Sequence, residues 1–318
     1  MHRSQVISWE ERWRTPTVLA TFGAVALLLA SVVIGSSLGG GGEADSLRDL
    51  HGHASTVTLV SVIQALGFLL LAMPLLYLFR AVRERSPRVR SQFLPLVMLA
   101  PVALSVAAVL NGMAANDAAT AFVNGEGTSS LTRAEATKEC RAEQSDDASA
   151  FRDDFGTGNS ALSDCATTQV EDDRAEDAIK GTSIRKVAEL VQLVALLALA
   201  FAFIYSCLNG MRVGLLTRFW GALGIAIGAA SIFGLYQLGI IWFIYFGLLV
   251  AGWLPGGRPP AWAAGEAVPW PSPGERAAAG LEGPGEDAGE DSENDDEDSE
   301  GASGSAPRPP SSSESESR

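Results

Sequence analysis

The chain has 318 residues, 47% of them hydrophobic, and 37 Asp and Glu against 23 Lys and Arg give it a formal charge of −14. An acidic balance of this kind argues against a nucleic-acid partner, which requires a basic face. The charge is segregated between long uncharged stretches and polar segments, which argues against one water-soluble core and for membrane spans joined by polar loops.

Residues 1–16 form a polar N-terminus carrying Arg3, Arg12 and Arg14. Three apolar runs follow within residues 17–115: 17–38, 56–79 and 93–115. Each is about 20 residues or more, enough at 1.5 Å rise per residue to cross a hydrocarbon core of roughly 30 Å. None shows the polar stripe of a soluble surface helix. Pro74, Pro95 and Pro101 are candidate kinks within the second and third runs. The first run is long for the apolar part of a signal peptide and no convincing small-x-small cleavage site follows it, so it is read as a retained span.

Residues 116–186 are polar, acidic and too poor in apolar side chains to bury a core alone. Within them, "TRAEATKECRAEQ" has good helix formers, with Ser130 or Thr132 available as a cap. Residues 187–254 return to apolar character. A span at 187–208 is preceded by Thr182 and Ser183 as candidate caps. The stretch 219–254 would be roughly 54 Å long as one straight helix, too long for one crossing. Two short spans of about 17 residues, turning at "GLYQLG", suit it better. Six spans are thereby favoured over five.

Residues 255–318 open with "PGGRPPAWAAGEAVPWPSPGE", whose Pro and Gly stop the helix. Trp262 and Trp270 suit a segment at the membrane interface. The remainder, including "GEDAGEDSENDDEDSEG", has nothing apolar to bury and reads as a disordered acidic tail.

The arginines orient the chain. Arg80, Arg83, Arg85, Arg88 and Arg90 crowd into a short loop between two spans, where positive charge marks the cytoplasmic side. Arg3, Arg12 and Arg14 before the first span, and Arg212 and Arg218 after the fourth, obey the same alternation. The N-terminus and the arginine loop are therefore expected inside a plasma membrane, and the acidic loop 116–186 outside. Six spans would return the tail to the cytoplasm; five would leave it outside.

Candidate sites are sparse. Cys140 and Cys165 fall in the outside loop, where an oxidising compartment favours a disulfide. Cys207 lies in a span as a small apolar residue. His51 and His53, near Asp45 and Asp49, lack further ligands at recognisable spacing and read as a solvated loop rather than a metal site. Gln64 and Glu189 are polar groups within spans, with Gln192 close by, and mark a candidate intramembrane polar site. Gly224 and Gly228 form a small-xxx-small pair for close helix packing. No P-loop, zinc-helix motif or nucleophile–base pair lies in a span, so no catalytic, cofactor or metal residues are assigned and no enzyme is expected.

The segments "QALGFLLLAMPLLYLFRAVRER" (residues 64–85) and "PGGRPPAWAAGEAVPWP" (255–271) resemble uncharacterised multi-pass membrane proteins of high-GC bacteria. That resemblance implies no reaction, ligand or site residue. The expected molecule is thus an all-α polytopic helix bundle with lipid around it. Its acidic loop or tail is available to a protein partner, and its oligomeric state is open. The expected role is a non-enzymatic envelope component, with a small-solute transporter or channel using Gln64 and Glu189 as the alternative.

Overall fold

The computed structural model describes residues 3–38, 42–126, 128–156, 159–254 and 257–270. Among the described residues every regular element is helical. Four helical stretches, Arg3–Ser36, Ala54–Arg85, Ser91–Val123 and Ser183–Arg212, are long and apolar enough to cross a membrane.

The first is α1 (Arg3–Ser36), which begins well before the apolar run because its polar first turns pack Val6 and Glu10 inward. After the short α2 (Glu43–Gly52), the second stretch is divided into α3 (Ala54–Leu70) and α4 (Ala72–Arg85). The break has a local cause. Pro74 has no N–H to offer the Leu70 carbonyl, and its ring crowds the preceding turn. The third, α5 (Leu94–Val123), takes Pro95 in its first turn, where a missing N–H costs nothing, and carries Pro101 inside. It continues beyond the apolar run because Ala118, Ala119 and Phe122 are buried beneath later helices.

Residues 116–186 are expected from composition to lack a core of their own. Residues 128–156 and 159–181 within them nevertheless fold into α6 (Arg133–Asp146), α7 (Ala148–Phe155) and α8 (Asn159–Gly181). The core is small, built from Ala136, Cys140, Phe151, Ala161, Cys165 and Ala166. A second cluster joins Ala175 and Ala178 of α8 to Leu47 of α2 and Phe122 of α5, so burial is shared with the bundle rather than achieved alone. Composition concealed this because Ala and Cys fill the contacts that larger side chains usually supply.

The fourth long helix, α9 (Ser183–Arg212), leads to α10 (Arg218–Ser231) and α11 (Gly239–Ala251), a hairpin turning through residues 232–238. Gly234 takes φ +83°, a conformation that glycine adopts without steric cost. The sequence places the turn in the same stretch, although 14 and 13 residues make both helices shorter than expected. The chain then folds back as a strap, residues 257–270, with a short α12 (Pro260–Ala264).

In the bundle, α5 packs on α3 and α9, α1 on α3 and α11, and α10 on α9. Phe79, Phe203, Trp242 and Phe246 are buried at its centre. Leu19, Leu29, Val33, Leu66, Leu190 and Leu197 point outwards instead. An exposed apolar belt of this extent marks a surface made for lipid. In that solvent the helices gain little from the hydrophobic effect, and close dispersion contact holds them together.

Candidate functional site

One end of the bundle carries the helices of residues 128–181. Thr132 and Glu135 form a reciprocal cap: the Glu135 amide donates to Thr132 Oγ1 at 3.3 Å and the Thr132 amide to Glu135 Oε2 at 2.9 Å. Cys140 on α6 and Cys165 on α8 are joined by a disulfide, with Cα atoms 6.1 Å apart. Asp173 then gathers the preceding segment, accepting from Ser129 Oγ at 2.8 Å, the Ser130 amide at 2.7 Å and the Leu131 amide at 3.0 Å. Asp177 accepts from the Thr128 amide and hydroxyl at 3.0 and 2.9 Å.

These donors hold both carboxyls below the usual aspartate range. The Ser129 hydroxyl contributes most at Asp173, and the Thr128 amide at Asp177. The Thr132 hydroxyl does the same for Glu135. Asp172 caps α2 from a distance by accepting from the Ala44 amide at 2.9 Å. Arg48 of α2 bonds Glu171 at 2.6 Å, and the Arg48 and Arg174 guanidiniums lie 5.5 and 5.6 Å from the Phe122 ring centre. The unit is thereby clamped to α2 and α5. An open acidic cleft between Glu43, Glu139, Asp172, Asp173 and Glu176 remains on its surface.

His53 Nδ1 lies 3.1 Å from Asp49 Oδ1, and His51 is exposed. Among the described residues no group of three or more His, Cys, Asp or Glu could hold a metal ion.

The proposed polar pair inside the spans is not assembled. Gln64 lines a cavity of about 80 Å³ between α1, α3, α9 and the hairpin turn. Glu189 is exposed and bonds Arg185 one turn earlier at 2.8 Å, while Gln192 is half-buried on the same helix. Gln237 and Tyr236, from the hairpin turn, line the cavity with Gln64 and Ser31. In the sequence "GLYQLG" signals only a turn, and nothing in it points to a partner for Gln64. The cavity has room for roughly two waters.

Gly224 and Gly228 sit where α10 meets α9. A Cβ on Gly224 would fall 2.3 Å from Cys207 Sγ, and one on Gly228 would fall 2.9 Å from Phe203 Cβ.

The opposite end collects the arginines. In the sequence Arg80, Arg83, Arg85, Arg88 and Arg90 are alike as loop charges. Arg83, Arg88 and Arg90 are exposed, but Arg80 covers the Trp9 ring at 4.7 Å and Arg85 is buried. Arg85 forms a two-pronged ion pair with Glu10, with side chains 0% and 6% exposed; its Nη2 is 3.0 Å from Glu10 Oε2. Its remaining donors reach the Ala261 carbonyl at 3.2 and 3.1 Å and the Ala81 carbonyl at 3.0 Å. A buried pair persists only when its spare donors are satisfied in this way.

Around it, Trp9, Tyr77 and Trp262 stack in a column with centroids 5.4 and 5.8 Å apart. The Trp262 and Trp270 indoles donate to the Leu215 and Leu216 carbonyls at 2.9 and 2.8 Å. These two bonds fasten the strap to the α9–α10 turn. Gly214 permits the fit at φ +78°, because a Cβ there would fall 1.9 Å from the Val268 oxygen. Two further arginines cap the last turn of α11. Arg14 donates to the carbonyls of Val250, at 3.0 Å, and Ala251, and Arg258 to that of Leu249 at 3.2 Å. Glu10, Arg14 and Arg258 had no sequence signal beyond their charge.

Comparison with known proteins finds no matching family model, no matching curated protein and no matching solved structure.

Proposed function

We propose that this chain is a non-enzymatic multi-pass protein of the plasma membrane that presents its disulfide-bonded acidic unit, within residues 116–186, outside the cell to a basic partner. The observation that carries this reading is the clamping of that unit to α2 and α5 through Asp172, Glu171 and Phe122. A mere connection would not be held so firmly. Its acidic cleft supplies the charge a basic peptide or protein surface would meet.

Six crossings fit this reading. The α10–α11 hairpin lies beside α1 from Arg14, which bonds its last turn, to Ser31, which shares a cavity with Tyr236. That stretch of α1 is about 26 Å long at 1.5 Å per residue, close to a hydrocarbon core. The N-terminus, the arginine loop and the strap then share the cytoplasmic side.

Impermeant maleimide labelling of intact cells tests the arrangement. Ser149→Cys is expected to react and Ala263→Cys to stay protected until the membrane is opened. Labelling of both in intact cells would remove the six-span topology. For the partner, photo-crosslinking from positions along the cleft should lose its product when Glu139 and Glu176 become Gln. A product unchanged by that neutralisation counts against the acidic unit as the contact.

A second reading, passage of a small polar solute, draws on the Gln64–Gln237 cavity. In a reconstituted flux assay, Gln64→Leu should then slow transport while Glu189→Gln, which lies off the cavity, leaves it unchanged. Equal rates for wild type and Gln64→Leu would end this reading.

A further inference from the structure

The strap borders a second space at the arginine-rich end, an open pocket of about 380 Å³ against the α10–α11 hairpin. Its walls include Phe219, Trp220, Tyr245, Leu254 and Trp270, and Arg258 is the charged side chain among them. The Trp220 and Tyr245 rings stack at 3.7 Å and stiffen one wall. Phe219 stands at the rim, 67% exposed on the outward side of α10.

Arg258 is incompletely satisfied. Its Nε reaches the Leu249 carbonyl and its guanidinium lies over the Trp262 ring at 5.8 Å, but its Nη2, shielded from solvent, has no hydrogen-bond partner, and a turn of the side chain would bring it to the cavity. A buried donor left unpaired is costly, more so when charged. The neighbouring charges do not supply the missing acceptor. Arg14 occupies the same helix end, and Glu10 is engaged by Arg85. Burial first, and the Arg14 charge second, lower the Arg258 pKa from the usual arginine value. A guanidinium remains charged regardless, so positive charge is left over here.

We propose that this cavity binds the phosphate headgroup of an acidic phospholipid, with Arg258 donating to the phosphate and the acyl chains leaving past Phe219. Three features of the site select a lipid. Its charge is cationic and partly unpaired. Trp220 and Trp270 line it, and indoles are favoured in a bilayer's headgroup region. Basic pockets between membrane helices are suited to acidic headgroups. Free phosphate carries the same charge, but it would shed its water against Phe219, Leu254 and Trp270 without compensation. The inference holds whichever side of the membrane this end faces.

The test uses the full-length chain in a neutral detergent, titrated with phosphatidylglycerol, phosphatidylcholine or inorganic phosphate, with bound ligand read by native mass spectrometry. Phosphatidylglycerol should be retained and the other two should not. Arg258→Gln should weaken retention about tenfold, the worth of one charge-assisted hydrogen bond. Phe219→Glu provides a second variant if Arg258→Gln does not fold. It sets a repelling carboxylate at the rim, in the first turn of α10 where negative charge favours the helix, and should also weaken retention. Undiminished phosphatidylglycerol binding by either folded variant overturns the proposal. So does equal retention of phosphatidylcholine, which would mean an apolar crevice alone, or of inorganic phosphate, which would mean an anion site indifferent to lipid.

Discussion

Arg85 shows how one side chain can serve two roles that look alike on paper. In the sequence it is one positive charge among five; in the fold it is a buried partner of Glu10 that ties α1 to α4 and, through Ala261, to the strap. Removing one member leaves the other charged and buried, which costs about 3–5 kcal/mol, whereas replacing both with apolar or neutral groups of similar size is far milder. Arg85→Met and Glu10→Gln should therefore each lower thermal stability in detergent, and the double variant should lose less than their sum. Strictly additive losses would mean that the two groups do not act as a pair. The neighbouring Arg83, Arg88 and Arg90 are exposed, and neutralising them one at a time should leave the melting temperature within the scatter of ordinary surface changes, about 0.5 kcal/mol.

At the level of elements, the hairpin depends on glycines of two kinds. Gly224 and Gly228 let α10 approach α9 side by side; Gly234 lets the chain turn. Their substitutions should differ accordingly. A methyl on Gly224 meets Cys207 Sγ at 2.3 Å and Trp242 Nε1 at 2.8 Å, so Gly224→Ala should destabilise the hairpin by about 1–3 kcal/mol through overpacking. Nothing lies within 4 Å of a Cβ on Gly234, and Gly234→Ala should cost only about 1 kcal/mol of backbone strain. Equal thermal shifts for the two would refute this division. The small-residue pattern was visible in the sequence, but its partner was not. Spacing along one helix says which face is smooth, and the identity of the opposing surface, here Cys207 and Phe203 of α9, follows from the path of the chain.

Taken as a whole, the molecule joins two parts held by different forces. The bundle rests on close packing in lipid; the acidic unit rests on hydrogen-bonded carboxylates, a disulfide and a small shared core. Acid should loosen the second. Asp173, Asp177 and Glu135 have pKa values below those of the unfolded chain. Their stabilising effect is therefore complete above the unfolded carboxylate values, roughly pH 4, and is lost as pH falls through the depressed folded values. Acidifying the purified protein below about pH 4 should reduce helical circular dichroism, and the loss should shrink in a variant carrying Asp173→Asn and Asp177→Asn, whose side chains no longer titrate. A loss of the same size in that variant would show that these carboxylates do not set the acid response.

The amino-acid order alone carried the helical class, the long apolar helices, the turn before α11 and a cap at Ser130 or Thr132, since each depends on neighbours along the chain: apolar length, proline, glycine, a hydroxyl ahead of good helix formers. The tertiary structure alone decided that the acidic segment folds, that Gln237 rather than Glu189 lies beside Gln64, that Arg85 becomes a buried cation and that Arg258 becomes a half-buried one with a shielded, unpaired donor. Those outcomes depend on groups far apart in sequence arriving at one place. Charge, polarity and size can be read at each position, but whether a charge meets a carboxylate, a carbonyl or nothing is set by how the helices pack.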